Sequence, residues 1–598
     1  MASSSADASS STTVTPATPN VNQPTAEEVL IPNRESASKR KLAHFGTPSA
    51  ATTAGSSLSL RTVVELDQLS RLIVGLLCPQ CGTDSVCLRV ADGQRAGLAV
   101  GLEVHCVNRM CDSYEQVLTE TLTSARSADD RTYEINKRIV AASLAVGLGQ
   151  EGLGKFCECM GMPKLHHRTY SAHVKTFHTK LPEFKADIRQ AAMDVVRLEH
   201  KKTDDTLLDI KSSYDGSWQT RGHKSMNGLG CVIENKSGLC VDFHTMSRFC
   251  QMCATTGAAL KMKSATDYQQ WWESHKETCH INHSGSAGSM EKDAAVVMWG
   301  RSMELNRARY VSMTSDGDTK TIEALRESKP YPCMKVRKDE CVNHVAKRMG
   351  KGLRTLVDTK RKQGITLGGN GKGKLTEKKM IRLQKYYKKA ILSNDTVDGM
   401  NKAIWATYKH CISTDKDPQH ADCPPGEKSY CFYQRAIAAK TKEDEMPRHT
   451  ETSQKTKLSA FVGEHVKSVY ERLTDSELLK GCLERKTQNV NESIHAVIWK
   501  LCPKHLFVQR QRFEIGVALG VAEYNMGSKG TQLFFDKLGL KKNSETERLC
   551  VKRDYLRVRK AEYAVTERVK KARVKVRNAR VEIERQIEIQ EGGPQYLK

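Results

Sequence analysis

The chain has 598 residues, with 94 Lys plus Arg against 69 Asp plus Glu and a formal net charge of +25. That length exceeds one ordinary core and calls for several folded units, and the positive excess favours a polyanionic partner, nucleic acid before a membrane surface. Mean hydropathy is −0.53 and no long uninterrupted apolar run occurs, which excludes a membrane-spanning helix.

Residues 1–60 are rich in Ser, Thr, Ala and Pro, too poor in large apolar side chains to offset chain entropy, and read as a disordered tail. Within it Lys39, Arg40 and Lys41 form a short basic cluster of the kind that serves nuclear import and also arises by chance. The first residues carry neither a basic segment nor an apolar one, so no secretory signal is expected. The 20 cysteines are therefore read for a reducing compartment, as zinc ligands or small buried side chains.

Residues 61–125 hold the strongest metal signal. Cys78 and Cys81 form a CxxC pair, and Cys106 and Cys111 follow with four residues between them. Two Cys pairs on tight turns, joined by strand-like sequence, can set four thiolates around Zn²⁺ as a zinc ribbon. Cys87 is left over. Residues 126–205 carry a mostly helical pattern over 132–199.

Residues 206–545 open with a β-rich block at 206–246. A strand candidate runs through Asp215, and a hairpin is predicted from 228–233 and 239–243 around Asn235 and Gly238. Cys250, Cys253, His275 and Cys279 make a second, Cys₃His zinc candidate, with His280 and His283 as competitors. Another strand candidate at 308–314 leads into Asp316 and Asp318. Cys341 with His344, and the group His410, Cys411, His420, Cys423 and Cys431, are weaker candidates that read first as core thiols and ordinary histidines and only second as metal ligands.

Residues 368–375 match GxxxxGK, but Leu375 stands where a phosphate loop needs Ser or Thr for Mg²⁺, and the polar 360–365 is no buried strand. An ATP site is rejected; a basic loop touching phosphate through Lys372 and Lys374 explains the pattern more simply. Asn489 can cap a helix that places Glu492 in its first turn. Residues 546–598 form a basic helical tail, with one helix predicted over 551–589. Val565, Val569, Ala572, Val576, Ala579 and Ile583 recur there at intervals of three and four. It reads as a solvated amphipathic helix or short coiled coil, or as a helix resting on DNA phosphates.

Acids at the ends of neighbouring parallel strands, with a third on a packed helix, would suit Mg²⁺ or Mn²⁺ and phosphodiester chemistry. By spacing alone Asp215, Asp316 and Glu492 remain three acids among many, because Asp after a strand is often a turn former.

The run from Tyr214 to His223 (YDGSWQTRGH) resembles the first catalytic motif of Mutator-like transposases, in a lineage found in invertebrate genomes. Further matches run in consistent order from about residue 69 to 545: Asn282 to Glu291 (NHSGSAGSME), Ser315 to Asp318 (SDGD), Glu340 to Arg348 (ECVNHVAKR), Pro418 to Pro424 (PQHADCP) and Lys486 to Ser493 (KTQNVNES). The resemblance implies an α/β fold, an RNase H-like catalytic core with a helical insertion between second and third acids, preceded by the zinc-ribbon-like unit and the helical segment. It implies a DNA transposase that binds terminal inverted repeats and cuts and joins target DNA through two Mg²⁺ or Mn²⁺ ions. The implied acids are Asp215, Asp316 and Glu492, with Asp318 and Glu291 as alternatives. Cys341 and His344 resemble the Cys/His element that such transposases carry. Lys347, Arg348, Lys372 and Lys374 become candidate DNA contacts, with structural Zn²⁺, a homo-oligomer and a nuclear location also implied. The ending at 591–598 resembles the start of a longer one, which leaves truncation open. The alternative is a transposase-derived nuclear DNA-binding protein without strand transfer.

Overall fold

The computed structural model describes residues 35–46, 63–127, 131–202, 206–220, 224–316, 319–369, 371–440, 446–449 and 456–590. Most of the expected tail 1–60, Asp318, His223 and the ending 591–598 lie outside the described residues. From Ser36 onward they fall in one compact unit, of mixed α/β structure.

The Cys-rich segment folds as three antiparallel strands, β1 (Val86–Val90), β2 (Gly101–Cys106) and β3 (Leu122–Thr123), in the order β1-β2-β3. Its buried apolar cluster consists of Cys78, Cys106 and Cys111, far less than a unit of this size needs to hold itself together.

The central sheet has five strands: β4 (Leu208–Trp218), β5 (Asn227–Glu234), β6 (Cys240–Ser247), β7 (Ala308–Ser315) and β8 (Arg337–Glu340). Their spatial order is β6-β5-β4-β7-β8. The first three pair antiparallel, whereas β4–β7 and β7–β8 are parallel. The predicted hairpin joins β5 to β6. Its turn is closed by the Glu234 carboxylate, which accepts the N–H groups of Lys236 at 2.8 Å and Ser237 at 2.6 Å, and by Gly238 at φ +73°.

Side chains alternate across the pleat, so each sheet face carries its own core. On one face Leu229, Cys231, Ile233 and Phe243 meet the helices of 134–200 together with those of 489–540. On the other, Ile210, Tyr214, Val232 and Val241 meet the helices Met290–Gly300 and Thr319–Ser328. The helix Arg510–Met526 is buried nearly all round, so it must be covered on every side. The helices His167–Thr179 and Leu181–His200 supply that cover. The stretch 126–205 thus packs as one wall of the central core, where the sequence suggested a unit of its own.

Glu514 is the charged residue among the buried side chains of that helix. Burial alone would raise its carboxyl, but His178 at 2.7 Å, the nearby Lys185 and Arg510 at 2.8 Å outweigh burial and hold it well below the usual range. A depressed folded-state pKa adds stability that is present above the unfolded carboxylate's value and is lost as pH falls through it. Glu514→Gln is expected to cost about 3 kcal/mol, because the half-buried Lys185 and Arg510 lose their buried counter-charge. Denaturant titrations should show the wild-type excess shrinking below about pH 4.3.

Between β8 and the helix Asn489–Leu501 the chain makes a helical insertion with its own core. It comprises Val342–Lys362, Glu377–Leu392, Val397–Ile412, Phe432–Ala438, Ala460–Leu473 and Ser476–Gly481. It leaves and re-enters at one neck: Val342 N–H donates to Lys486 O at 3.1 Å, and Gln488 N–H to Cys341 Sγ at 3.4 Å. Residues 368–375 follow the end of a helix, not a strand, which agrees with rejecting a phosphate loop.

Two expectations need correction. Within the expected disordered tail, Ala37–Phe45 is a helix capped by Ser36, whose Oγ accepts Lys39 N–H at 3.2 Å. It packs on Arg510–Met526 and Ser544–Val565. Lys41 is buried with its Nζ 3.1 Å from the Tyr524 ring centroid, so the basic cluster is not presented as a continuous exposed signal. The single helix expected over 551–589 is two, Ser544–Val565 and Glu567–Gln590. Thr566 takes an extended backbone, ψ 146°, and its hydroxyl donates to Tyr563 O at 2.8 Å, closing the first helix.

Candidate functional site

Asp215 sits in β4 and Asp316 directly follows β7. The parallel register pairs Ser213 with Thr314, so continuing it by two residues sets Asp215 alongside Asp316. A register shift after Ile210 produces this alignment by taking up one extra residue of β7. Asp215 and Ser213 share a face. Ser213 Oγ donates to Asn491 Oδ1 at 2.5 Å, which fixes the first turn of Asn489–Leu501 against the strand. Glu492, next to Asn491, is solvent-exposed and lies near enough for its charge to act on Asp215.

A fourth acid arrives from the opposite face. Glu291, in the first turn of Met290–Gly300, passes Gly216, where an added Cβ would lie 2.7 Å from its Cγ. Gly216 N–H donates to Glu291 Oε1 at 3.4 Å, and Tyr214 Oη donates to Glu291 O at 2.6 Å, anchoring the helix start to β4. Sequence reasoning ranked Glu291 below Asp316. The signal was available in the run SGSAGSME, where Ser286 caps a short turn leading into this helix.

Burial first, then the charges of Glu291, Asp316 and Glu492, push the Asp215 carboxyl up to about 8. Carboxylates converging in this way repel one another unless a cation joins them, and an all-oxygen donor set suits Mg²⁺ or Mn²⁺. Gly216→Ala is expected to push back the start of Met290–Gly300, whose Glu291 Cβ would lie 2.9 Å from the new methyl group, and to displace the Glu291 carboxylate. The divalent-cation affinity of the site should fall about tenfold, as isothermal calorimetry on the purified chain would show.

Two histidines join the acids. His495, one turn beyond Glu492, has Nδ1 3.6 Å from Asp215 Oδ2. Burial, and secondarily Lys504, lower its pKa to about 4, so the ring is neutral. His344 Nδ1 contacts Asp316 Oδ1. Cys341 is buried and accepts the Gln488 N–H, so Cys341 and His344 face different partners: one holds the neck, the other holds Asp316. The role of His495 was missed, although its i,i+3 spacing from Glu492 places both on one helix face. The alternative Asp318 lies outside the described residues.

The candidate DNA contacts are distributed over the insertion. Lys347 and Lys372 are exposed, Lys374 Nζ donates to Thr366 O at 2.5 Å, and Arg348 is ion-paired with Glu340 at 2.8 Å.

Both zinc candidates assemble. Cys78, Cys81, Cys106 and Cys111 bring their sulfurs within 4.8 Å of one another, with Cys78–Cys111 and Cys81–Cys106 at 3.9 Å. A tetrahedral ion with Zn–S of about 2.3 Å spaces sulfurs about 3.8 Å apart. Asn108 Nδ2 and Ser113 N–H donate to Cys81 and Cys111 Sγ, as zinc thiolates require. Cys87 stays outside the group. In the second cluster His275 Nε2 lies 3.4 Å from Cys250 and 3.3 Å from Cys253, with Cys253–Cys279 at 3.5 Å. Trp271 stacks on His275 at 4.6 Å. Of the competing histidines, His283 is engaged elsewhere, bonding Ser286 O and Ser289 Oγ, each at 3.0 Å, and His280 is not among the converging ligands.

Among known proteins, the family model described as Mutator-like transposase matches residues 61–431, more than half of the chain. No curated protein matches it. The matched span contains Asp215, Asp316 and both zinc clusters; Glu492 lies beyond it.

Proposed function

We propose, from the premise that this chain belongs to the Mutator-like transposase family, that it cuts and joins DNA through Asp215, Asp316 and Glu492 on an RNase H-like core. Membership makes it a DNA-processing enzyme; the catalytic triad and the substrate are our reading. The observation that carries it is the convergence of acids on Asp215: Asp316 from the next strand, Glu291 across Gly216 and Glu492 from the packed helix. Two of the acids stand on adjacent parallel strands, at the centre of a sheet ordered β6-β5-β4-β7-β8.

Asp215, Asp316 and Glu492 would hold two Mg²⁺ or Mn²⁺ ions, which when bound supply Lewis-acid stabilisation of the attacking and leaving phosphodiester oxygens. The protein's part is placement. Asn491 and Ser213 lock the helix that presents Glu492, and the Asp316–His344 contact orients the second carboxylate. Glu291 adds negative charge behind Asp215 and strengthens the site's preference for cations. Neutral His495 lies 3.6 Å from Asp215 and adds no charge that would compete with the cation. The net charge of +25 attracts the phosphate backbone and makes binding fall steeply with salt. Terminal inverted repeats are the proposed specific substrate, and nuclear DNA the place of action.

The test is metal-dependent cleavage and strand transfer on DNA bearing the element's flanking repeats, wild type beside Asp215→Asn, Asp316→Asn and Glu492→Gln. Loss in all three with binding retained supports the triad. Salt-sensitive binding with no cleavage by wild type on verified repeats would replace it with a DNA-binding derivative.

A further inference from the structure

The insertion contains a third group of metal-ligand side chains, remote in sequence from the acids and independent of the catalytic reading. His410, His420, Cys423 and Cys431 are all buried, and their ligand atoms lie within 4.8 Å of one another. Cys423 Sγ is 3.8 Å from His410 Nδ1, and Cys431 Sγ is 3.5 Å from His420 Nδ1. For a tetrahedral ion with Zn–S of about 2.3 Å and Zn–N of about 2.0 Å, sulfur–nitrogen separations of about 3.5 Å are expected.

Hydrogen bonding around His420 settles which nitrogen is available. Its Nε2 is 3.1 Å from His449 Nε2, and His449 Nδ1 is 2.8 Å from Asp415 Oδ1. The carboxylate accepts, so His449 carries its proton on Nδ1 and its Nε2 is an acceptor. Ser413 Oγ joins them, 2.9 Å from His449 Nε2 and 3.3 Å from His420 Nε2, so the Nε2 of His420 faces hydrogen-bond partners while its Nδ1 faces Cys431. A carboxylate–histidine–histidine chain of this kind orients a ligating imidazole and raises its basicity.

Tyr430, Phe432 and Tyr433 pack their rings on these histidines, but the group stands apart from the main apolar core. Cys423, Cys431 and Phe432 are buried, yet none belongs to the apolar core of the insertion, which takes in Cys411 from the same neighbourhood. The span between Ile412 and Ala460 has one short helix, Phe432–Ala438, among its described residues. A loop of this length with so little regular structure needs a cross-link to stay closed. Two thiolates and two neutral imidazoles around a divalent ion give a neutral centre, and tetrahedral S₂N₂ donors favour Zn²⁺.

We propose that His410, His420, Cys423 and Cys431 form a structural Zn²⁺ site that fastens the 413–438 loop to the end of the helix Val397–Ile412, with His449 and Asp415 as the supporting hydrogen-bond chain. Cys411, though adjacent, is a core thiol. Its backbone carbonyl accepts Leu458 N–H at 2.8 Å, and burial pushes its thiol up to about 12.

The test is the zinc content of the purified full-length chain, measured by plasma mass spectrometry after exhaustive dialysis. The wild type should hold one equivalent more than the Cys423→Ser/Cys431→Ser variant, and Cys411→Ser should match the wild type. His410→Cys, which keeps four ligands, should retain the extra equivalent even if the double variant folds poorly. Co²⁺ exchanged into the wild type should show a thiolate charge-transfer band that loses intensity in the double variant. Equal zinc in the wild type and a folded double variant would overturn the proposal. So would Cys423 and Cys431 recovered as a disulfide, or alkylated by iodoacetamide in the native zinc-loaded protein.

Discussion

Asp215→Asn is expected to reduce metal-dependent strand cleavage by about a thousand-fold or more, since losing several kcal/mol of transition-state stabilisation has that effect. Affinity for DNA at fixed salt should stay within about threefold of wild type, because phosphate contacts made by Lys and Arg dominate it. Asparagine keeps the shape of the side chain and its packing beside Cys231 in β5, the register partner of Asp215, so folding is preserved. Above about pH 8, where the Asp215 carboxyl is ionised, the substitution also relieves repulsion among the acids, and there the variant should be as stable as wild type or slightly more so. A gel assay with Mn²⁺ and thermal unfolding of the same preparation read both quantities. A variant that still cleaves would remove Asp215 from the catalytic assignment, while a variant that unfolds would say nothing about it; Glu492→Gln, on an exposed side chain, then carries the test.

Arg301→Ala is expected to cost about 3–5 kcal/mol of stability, at least as much as Glu514→Gln. Asp242 in β6 is fully buried, and Arg301 at the end of Met290–Gly300 binds it twice, through Nε at 3.0 Å and Nη2 at 2.6 Å. The same guanidinium donates to Phe243 O at 3.0 Å. Removing it leaves an enclosed carboxylate with only the charge of Arg189 nearby and no side-chain hydrogen bond from a cation. It also frees the end of the helix whose first turn carries Glu291. Lysine cannot reproduce the two parallel hydrogen bonds, so Arg301→Lys should recover less than half of the loss. Guanidinium denaturation of the three proteins measures this, and an Arg301→Ala midpoint equal to wild type would show that the pair contributes little.

What the sequence made legible was local. The strand through Asp215, the hairpin closed by Gly238 and the CxxC pairs all depend on residues within a few positions of one another, where pattern and chemistry coincide. The second cluster was readable because Cys250 and Cys253 stand close together and only His275, His280 and His283 compete for the remaining place. Long-range choices were not legible. Glu291 reaches Asp215 because Gly216 has no side chain to block it, a relation across 75 positions. The helix Ala37–Phe45 is polar and short, and its order comes from packing against residues about 500 positions later, so composition alone marked it as tail. His410, Cys423 and Cys431 were ambiguous singly, because a histidine at a helix end and a buried thiol are ordinary; their meaning lies in convergence and in the His449–Asp415 chain behind them. The helix break at Thr566 is set by one residue's backbone, against a side-chain periodicity that runs straight through it.

The neck formed by Val342, Lys486 and Gln488 has a consequence for how such a chain can change over generations. A segment that departs and returns across one hydrogen-bonded pair is a cassette: it can lengthen, shrink or be exchanged while its two ends stay put. Its hydrophobic interior is its own, so its loss exposes little of the sheet's. The distance along the chain from Asp316 to Glu492 is then free to drift between relatives, whereas their distance in space is not. Splicing a short glycine-containing bridge from Cys341 to Thr487 would produce a miniature that keeps the sheet and the helix of Glu492 but loses His344 and its contact with Asp316. Such a miniature offers a way to ask what those helices add.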